Sequence, residues 1–230
     1  MSDNKILKIG HRGAKGYIAE NTIASFEKAI ALGVDAVELD VQLCRSGELV
    51  VFHDHRVDRL TNGEGRIDQL QYSYISKLKT GGSANIPTLN HVLDIIDNRI
   101  IVNIELKAQN TAIEVASVLN EYIDIYNWNK DKFIISSFDH IELSKFKKLC
   151  PDIKIAALTS AIPVDYALFA QNLGAYSVNV SLEFVNKKFV DDAHNRGLKI
   201  FVYTVNHTDD IIRMRKLGVD GIFSDFPDII

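Results

Sequence analysis

Hydrophobic and polar positions follow two alternating periods along the chain. Short runs rich in β-branched residues recur at 6–9, 34–41, 100–106, 133–136, 153–158, 176–180, 200–205 and 221–223. Between them, segments 22–32, 89–96, 112–126, 141–149, 164–173, 184–196 and 209–217 place apolar residues three and four positions apart. The first pattern predicts strands and the second predicts helices that bury one face against them. Gly33, Gly174, Gly197 and Gly218 each follow a helical pattern, where a left-handed C-cap favours glycine.

Strands that alternate with helices pair in parallel through right-handed crossovers. Eight strands in 230 residues predict a (β/α)8 TIM barrel at the compact end of that fold's range, in preference to an open doubly wound sheet. The chain stops soon after Phe223, so a full eighth helix is not expected. No internal repeat or low-complexity linker interrupts the series, and residues 1–230 read as a single domain. One departure follows the second strand. Arg45-Ser46-Gly47 forms a turn, 48–53 is strand-like, and a polar stretch holding Gly63, Gly65, Gly81 and Gly82 runs from Asp54 to about residue 86. This reads as a small inserted segment on the face where loops follow strands, the catalytic face of such barrels.

Charge narrows the partners. With 26 Lys+Arg against 30 Asp+Glu the net charge is −4, and no basic cluster stands out. Nucleic acid and stable membrane association are therefore not expected. The longest uncharged segment, 166–182, is interrupted by Gln171, Asn172, Ser177, Asn179 and Ser181, which argues against a membrane span. The start of the chain, with Asp3 and few apolar residues before His11, is too short for a leader core, so a cytoplasmic location is expected. Cys44 and Cys150 lack metal-ligand spacing and read as packing residues.

Strand alternation singles out the candidate chemistry. In Val37-Glu38-Leu39-Asp40-Val41 both acids face one way and the apolar residues the other, and Glu105 and Lys107 share a face in the third strand. Glu38, Asp40 and Glu105 inside a barrel are costly unless paired or bound to a hard divalent cation. Alone, each pair reads as a strand end reaching water. On neighbouring strands, with His11 and His53 ending two further runs, they read as a site. Both histidines suit general acid or base work. Arg12 offers a fork and Lys107 a point charge for an anionic oxygen, with phosphate the best match. His55, His91, His140, His194 and His207 have no comparable setting. Asn206 is read at least as readily as the N-cap of the following helix as a site residue.

His11-Arg12-Gly13, Glu20-Asn21-Thr22, Glu38-Leu39-Asp40-Val41, His53-Asp54, Asp58-Arg59-Leu60-Thr61, Glu105-Leu106-Lys107 and Tyr203-Thr204-Val205-Asn206 occur in that order. Together they resemble the glycerophosphodiester phosphodiesterase family across nearly the whole chain. The resemblance implies a TIM barrel that uses a divalent metal, often Ca²⁺ or Mg²⁺ with Mn²⁺ also admitted, to cleave glycerophosphodiesters into glycerol 3-phosphate and an alcohol. By position it implies Glu38, Asp40 and Glu105 as metal ligands, His11 and His53 as the acid/base pair, and Arg12 and Lys107 as phosphate binders. Cys44, Ser46, Ala19 and Tyr203 depart from residues common in the family and bear only on loop detail and the alcohol pocket. Related barrels acting on lysophospholipids and a non-catalytic phosphodiester-binding barrel are the competing readings. Head group, native metal and oligomeric state are left open.

Overall fold

The computed structural model describes residues 5–230; Asp3 lies outside them. Strand β1 (Leu7–Gly10) leads through α1 (Ile23–Ala31) to β2 (Ala36–Leu43), which turns back as β3 (Leu49–Val51). The inserted segment follows with a 3-10 turn (Ile67–Gln69), a one-turn helix α2 (Tyr72–Ile75) and the short strands β4 (Lys79–Thr80) and β5 (Ala84–Asn85). The alternation then resumes with α3 (Leu89–Ile96), β6 (Ile101–Leu106), α4 (Thr111–Asp124), β7 (Phe133–Ser137), α5 (His140–Leu149) and β8 (Lys154–Thr159). It ends with α6 (Leu168–Asn172), β9 (Ser177–Ser181), α7 (Lys187–Asn195), β10 (Lys199–Tyr203), α8 (Thr208–Leu217), β11 (Gly221–Ser224) and a 3-10 turn (Pro227–Ile229).

Strands β1, β2 and β6 to β11 pair in parallel with their neighbours, and β11 pairs with β1, so the sheet closes into the expected (β/α)8 TIM barrel. Strand β3 runs antiparallel along β2. The four glycines expected as C-caps all have positive φ, between 65° and 84°. Helix α6 is shorter than the 164–173 periodicity predicts. Tyr166 sits in the left-handed region at φ 46°, which interrupts the helical path after Pro163.

Alternation sorts each strand into two layers. Val37, Leu39, Val41, Val102, Ile104 and Leu106 are buried in the large cluster between sheet and helices. On the other face, Ile9, Ala36, Ile134, Ala156, Phe201 and Phe223 form a second apolar cluster that fills the barrel interior. Beyond it toward the strand C-termini the same face turns polar, with Glu38, Asp40, Asn103 and Ser136 all buried. The inserted segment is polar in sequence yet has its own apolar centre, where Val57, Ile67, Ile75, Leu78 and Ile86 pack on Cys44, Val50 and Phe52. Both cysteines are free and buried. Among the described residues no helix is long and apolar enough to cross a membrane.

Candidate active site

Strand register sets the floor of the site. Asp40 lies beside Glu105 across the β2–β6 pair, with Glu38 two residues earlier on the same face. One carboxylate oxygen from each of Glu38, Asp40 and Glu105 falls within 4.8 Å of the others. Burial, then repulsion from Asp40, raises the Glu105 carboxyl to about 7 despite its bond to Lys107. The same two causes lift Glu38 well above the usual carboxylate range. The Asp40 Oδ1 atom is buried with no hydrogen-bond partner. An acid cluster this crowded, with an orphaned oxygen, has the donor set a hard divalent cation takes.

Two cations flank the acids. Lys107 Nζ is 2.7 Å from Glu105 Oε1 and 3.8 Å from Asp40 Oδ1. Arg12 Nη1 is 2.7 Å from Glu20 Oε1, while its Nε lies 3.3 Å from Asp40 Oδ2 without the alignment of a hydrogen bond. Burial works against charge on both, but the surrounding carboxylates outweigh it and raise both pKa values. The Arg12 backbone N–H donates to Glu38 Oε2 at 2.8 Å, which requires Arg12 at φ 50°. Gly13 follows at φ 85°, and a Cβ there would lie 2.6 Å from the Ser25 carbonyl carbon, so the chain accepts only glycine after Arg12. Asn21, also left-handed, donates from Nδ2 to Asp40 Oδ2 at 2.9 Å.

Each histidine is backed by an aspartate. His11 Nδ1 lies 2.6 Å from Asp225 Oδ1, and His53 Nδ1 lies 2.7 Å from Asp54 Oδ1. Burial pushes Asp225 up, but His11, Lys15 and Asn206 together outweigh it and keep the carboxyl below its ordinary pKa, and Arg59 with His53 holds Asp54 far below its own. Ionised carboxylates only accept, so Nδ1 carries the proton in both rings and Nε2 is left for the pocket. Burial depresses both histidines below their ordinary value. The pocket, of about 260 Å³, is lined by the polar groups of His11, Arg12, Glu38, His53, Glu105 and Lys107 and by the apolar surfaces of Phe138, Leu158, Tyr203 and Phe223.

The structure thus brings His11, His53, Arg12, Lys107, Glu38, Asp40 and Glu105 together. Asn206 does not cap α8, whose N-cap position is His207. Its amide instead donates to Asp225 Oδ2 at 2.8 Å and accepts from the Asp225 N–H at 2.9 Å. Asp225, Asp54, Arg59 and Glu20 were not assigned roles from sequence. Gln42 was also missed, although the period that singles out Glu38 and Asp40 reaches it two positions later. Its buried amide donates to the carbonyls of Phe52 and His53 at 3.2 and 3.1 Å and so fixes the strap that carries His53. Of the histidines set aside, His140 stacks on Phe169 behind the pocket wall and His194 pairs with Asp220, and neither lines the pocket.

Residues 11–229 match the glycerophosphoryl diester phosphodiesterase family. A glycerophosphodiester phosphodiesterase of Caldanaerobacter subterraneus subsp. tengcongensis is 39% identical, covering 98% of this chain and 96% of that protein. One from Bacillus altitudinis is 35% identical over 95% and 94% of the two chains. Among solved structures, an Oleispira antarctica phosphodiesterase in complex with the product sn-glycerol-3-phosphate superposes with a TM-score of 0.88 at 30% identity, covering 96% of this chain and 93% of that one. Likeness of this extent runs through every strand that supplies the acids, the cations and the two histidines, and the chain belongs to the glycerophosphoryl diester phosphodiesterase family.

Proposed function

We propose that the protein hydrolyses small glycerophosphodiesters to glycerol 3-phosphate and an alcohol with His11 and His53 as its acid/base pair and a divalent cation on Glu38, Asp40 and Glu105. The observation that carries this reading is the pair of aspartate-backed histidines lining one pocket with Glu38 and Glu105, beside which Asp40 completes an acid triad with an orphaned oxygen. The product bound to the Oleispira antarctica protein supports glycerol 3-phosphate as the retained half.

A cation held by the triad supplies Lewis acidity, lowering the pKa of a substrate hydroxyl and offsetting phosphate charge. Arg12 and Lys107 bind the nonbridging phosphate oxygens. His11 Nε2 takes the proton from a glycerol hydroxyl, whose oxygen attacks phosphorus, while His53 Nε2 gives a proton to the departing alcohol oxygen. The cyclic phosphate so formed is opened by water, with His53 now taking a proton and His11 returning one to the glycerol oxygen. Asp225 and Asp54 keep each ring in the tautomer this exchange needs.

The test is release of glycerol 3-phosphate from a panel of glycerophosphodiesters with Ca²⁺, Mg²⁺ and Mn²⁺ in parallel, with phosphorus NMR watching for the cyclic intermediate. Activity that depends on metal and is abolished by His11→Ala and by His53→Ala supports the reading. Activity that survives either change in the presence of chelator overturns it.

A further inference from the structure

Four buried side-chain atoms have no hydrogen-bond partner among the described residues: Arg12 Nε, Asp40 Oδ1, Asn103 Oδ1 and Asn179 Nδ2. The first two belong to the ionic groups of the site. Asn179 does not line the catalytic pocket, whereas Asn103 does, with only 2% of its surface exposed. A buried amide left half-satisfied in a pocket wall is a place where a polar group of a ligand gains a full hydrogen bond.

Strand register explains its position. Asn103 stands beside Glu38 across the β2–β6 pair and two residues before Glu105 on the same face, while Val102 and Ile104 point into the layer under the helices. Its Nδ2 donates to Ser136 Oγ at 2.8 Å, and Ser136 is buried beside Glu105 on β7. The amide is thereby tied at one end and free at the other. The remaining polar groups of the lining are accounted for. Tyr203 donates its hydroxyl to the Thr159 carbonyl at 2.8 Å and meets Ser160 Oγ at 3.1 Å, and Thr204 is only half-buried, within reach of water. Phe138, Leu158 and Phe223 offer carbon surface alone.

One group of the substrate is likewise left over. Its nonbridging phosphate oxygens go to Arg12 and Lys107, the hydroxyl on the carbon next to the ester is the attacking group, and the leaving oxygen takes a proton from His53. The terminal hydroxyl of the glycerol half has no partner among these. A hydroxyl both donates and accepts, so it satisfies the free end of the amide whichever atom that end carries. We infer that Asn103, held by Ser136, binds the terminal glycerol hydroxyl and makes the pocket specific for a glycerol half that carries it. This rests on the phosphodiesterase reading above and names the group that recognises the retained half.

The experiment compares kcat/KM of the full chain, with the best divalent cation, on two diesters that share one leaving alcohol, the one turned over fastest in the panel above. One is the glycerol diester; the other is built on propane-1,2-diol, which keeps the attacking hydroxyl and lacks only the terminal one. Because the leaving alcohol is common to both, the ratio of alcohol release reports the retained half alone. A preference for the glycerol diester of about tenfold or more is expected, the effect of leaving one buried polar group unpaired. Asn103→Leu, close in volume, brings the ratio to within about threefold by removing the group that senses the hydroxyl. Ser136→Ala, which unties the amide but keeps it, narrows the ratio part-way and replaces the leucine variant should that protein not fold. Equal turnover of the two diesters by the unmodified protein overturns the inference and leaves the proposed activity standing, as does a folded variant that keeps the full ratio. A leucine variant that only needs more cation, equally on both diesters, assigns the amide to the metal and overturns the inference as well. No turnover of any glycerophosphodiester in the panel overturns both readings.

Discussion

His11 and His53 both donate from Nδ1 to an aspartate at closely similar distances, 2.6 and 2.7 Å, but the two aspartates are supported in different ways. Asp225 follows β11 and is fixed by a neutral amide, Asn206, which both donates to its carboxylate and accepts from its backbone. Asp54 opens the inserted segment and is clasped by the Arg59 guanidinium through two bonds, at 2.6 and 2.9 Å. The Arg59 side chain is 56% exposed and that of Asp225 16%. One histidine is thus held through a neutral amide and the other through an ion pair whose guanidinium side is exposed. A bond supported by neutral, part-buried groups is insensitive to ionic strength, whereas an exposed ion pair is screened. The rings are alike in geometry and differ in what can disturb them.

The largest effects test whether both rings act. Replacing either His11 or His53 by alanine is expected to lower kcat by about 10²- to 10⁴-fold, measured as glycerol 3-phosphate release. The aspartates then separate the two. Asp225→Asn is expected to cost about 10²-fold or more in kcat, because a part-buried His11 has no alternative acceptor for its proton. Asp54→Asn is expected to cost about tenfold less, since water can reach the half-buried His53 and take over part of the role. Equal losses from the two asparagine variants would mean that the difference in support has no bearing on function.

The parts of this arrangement visible in sequence are those carried by local period. All eight barrel strands fell where the apolar runs place them, and alternation alone put Glu38 and Asp40 on one face. Gln42 belongs to the same series but was passed over, because a single amide on a strand has no charge to mark its burial as costly. Asp225 lies 214 positions from His11, and only closure of β11 onto β1 brings them together. Asn206 stands before a helix, where capping is the ordinary role of asparagine, and the competing partner again lies just past the strand that closes the barrel. Arg59 sits in a stretch without strand or helix period, so nothing local pointed its side chain toward Asp54 and Glu20. Period reads what lies on one element; it is blind to pairs made by closure.

The acid triad is common ground for both rings and predicts how proton and metal compete. Glu38 and Glu105 are raised above their ordinary carboxyl value of 4.5, Glu105 to about 7. The folded, metal-free protein therefore binds more protons than the unfolded chain between those values, and its stability falls as pH rises through that window. A cation held on these carboxylates would displace those protons and reverse the trend. Thermal melts are expected to show a larger stabilisation by divalent metal at pH 8 than at pH 6, at roughly 2–4 °C per kcal/mol for a chain of this size. Glu105→Gln should shrink that difference. A metal-induced shift that is the same at both pH values would show that these carboxyls do not bind the ion.

The smallest expected effect is the most specific to the contrast between the two supports. Arg59 joins Asp54 to Glu20 Oε1, 3.7 Å away, and Glu20 in turn holds Arg12, so the clasp links His53 to the guanidinium proposed to bind phosphate. Acid cannot loosen it in the working range. The Arg59 bonds depress the Asp54 pKa, so their contribution is present above the ordinary carboxyl value and is lost only as pH falls well below it. Salt can loosen it, because an exposed pair of this kind contributes about 1 kcal/mol or less and is screened. Arg59→Ala is therefore expected to lower kcat about two- to fivefold at low ionic strength, with the loss shrinking as salt is raised, because the unmodified protein is losing the same clasp. Asn206→Ala, which disturbs the other support, should lower kcat by a factor that does not change with salt. If the Arg59→Ala deficit is likewise constant from low to high ionic strength, the two histidines are held by equally rigid means and the exposed guanidinium is a bystander.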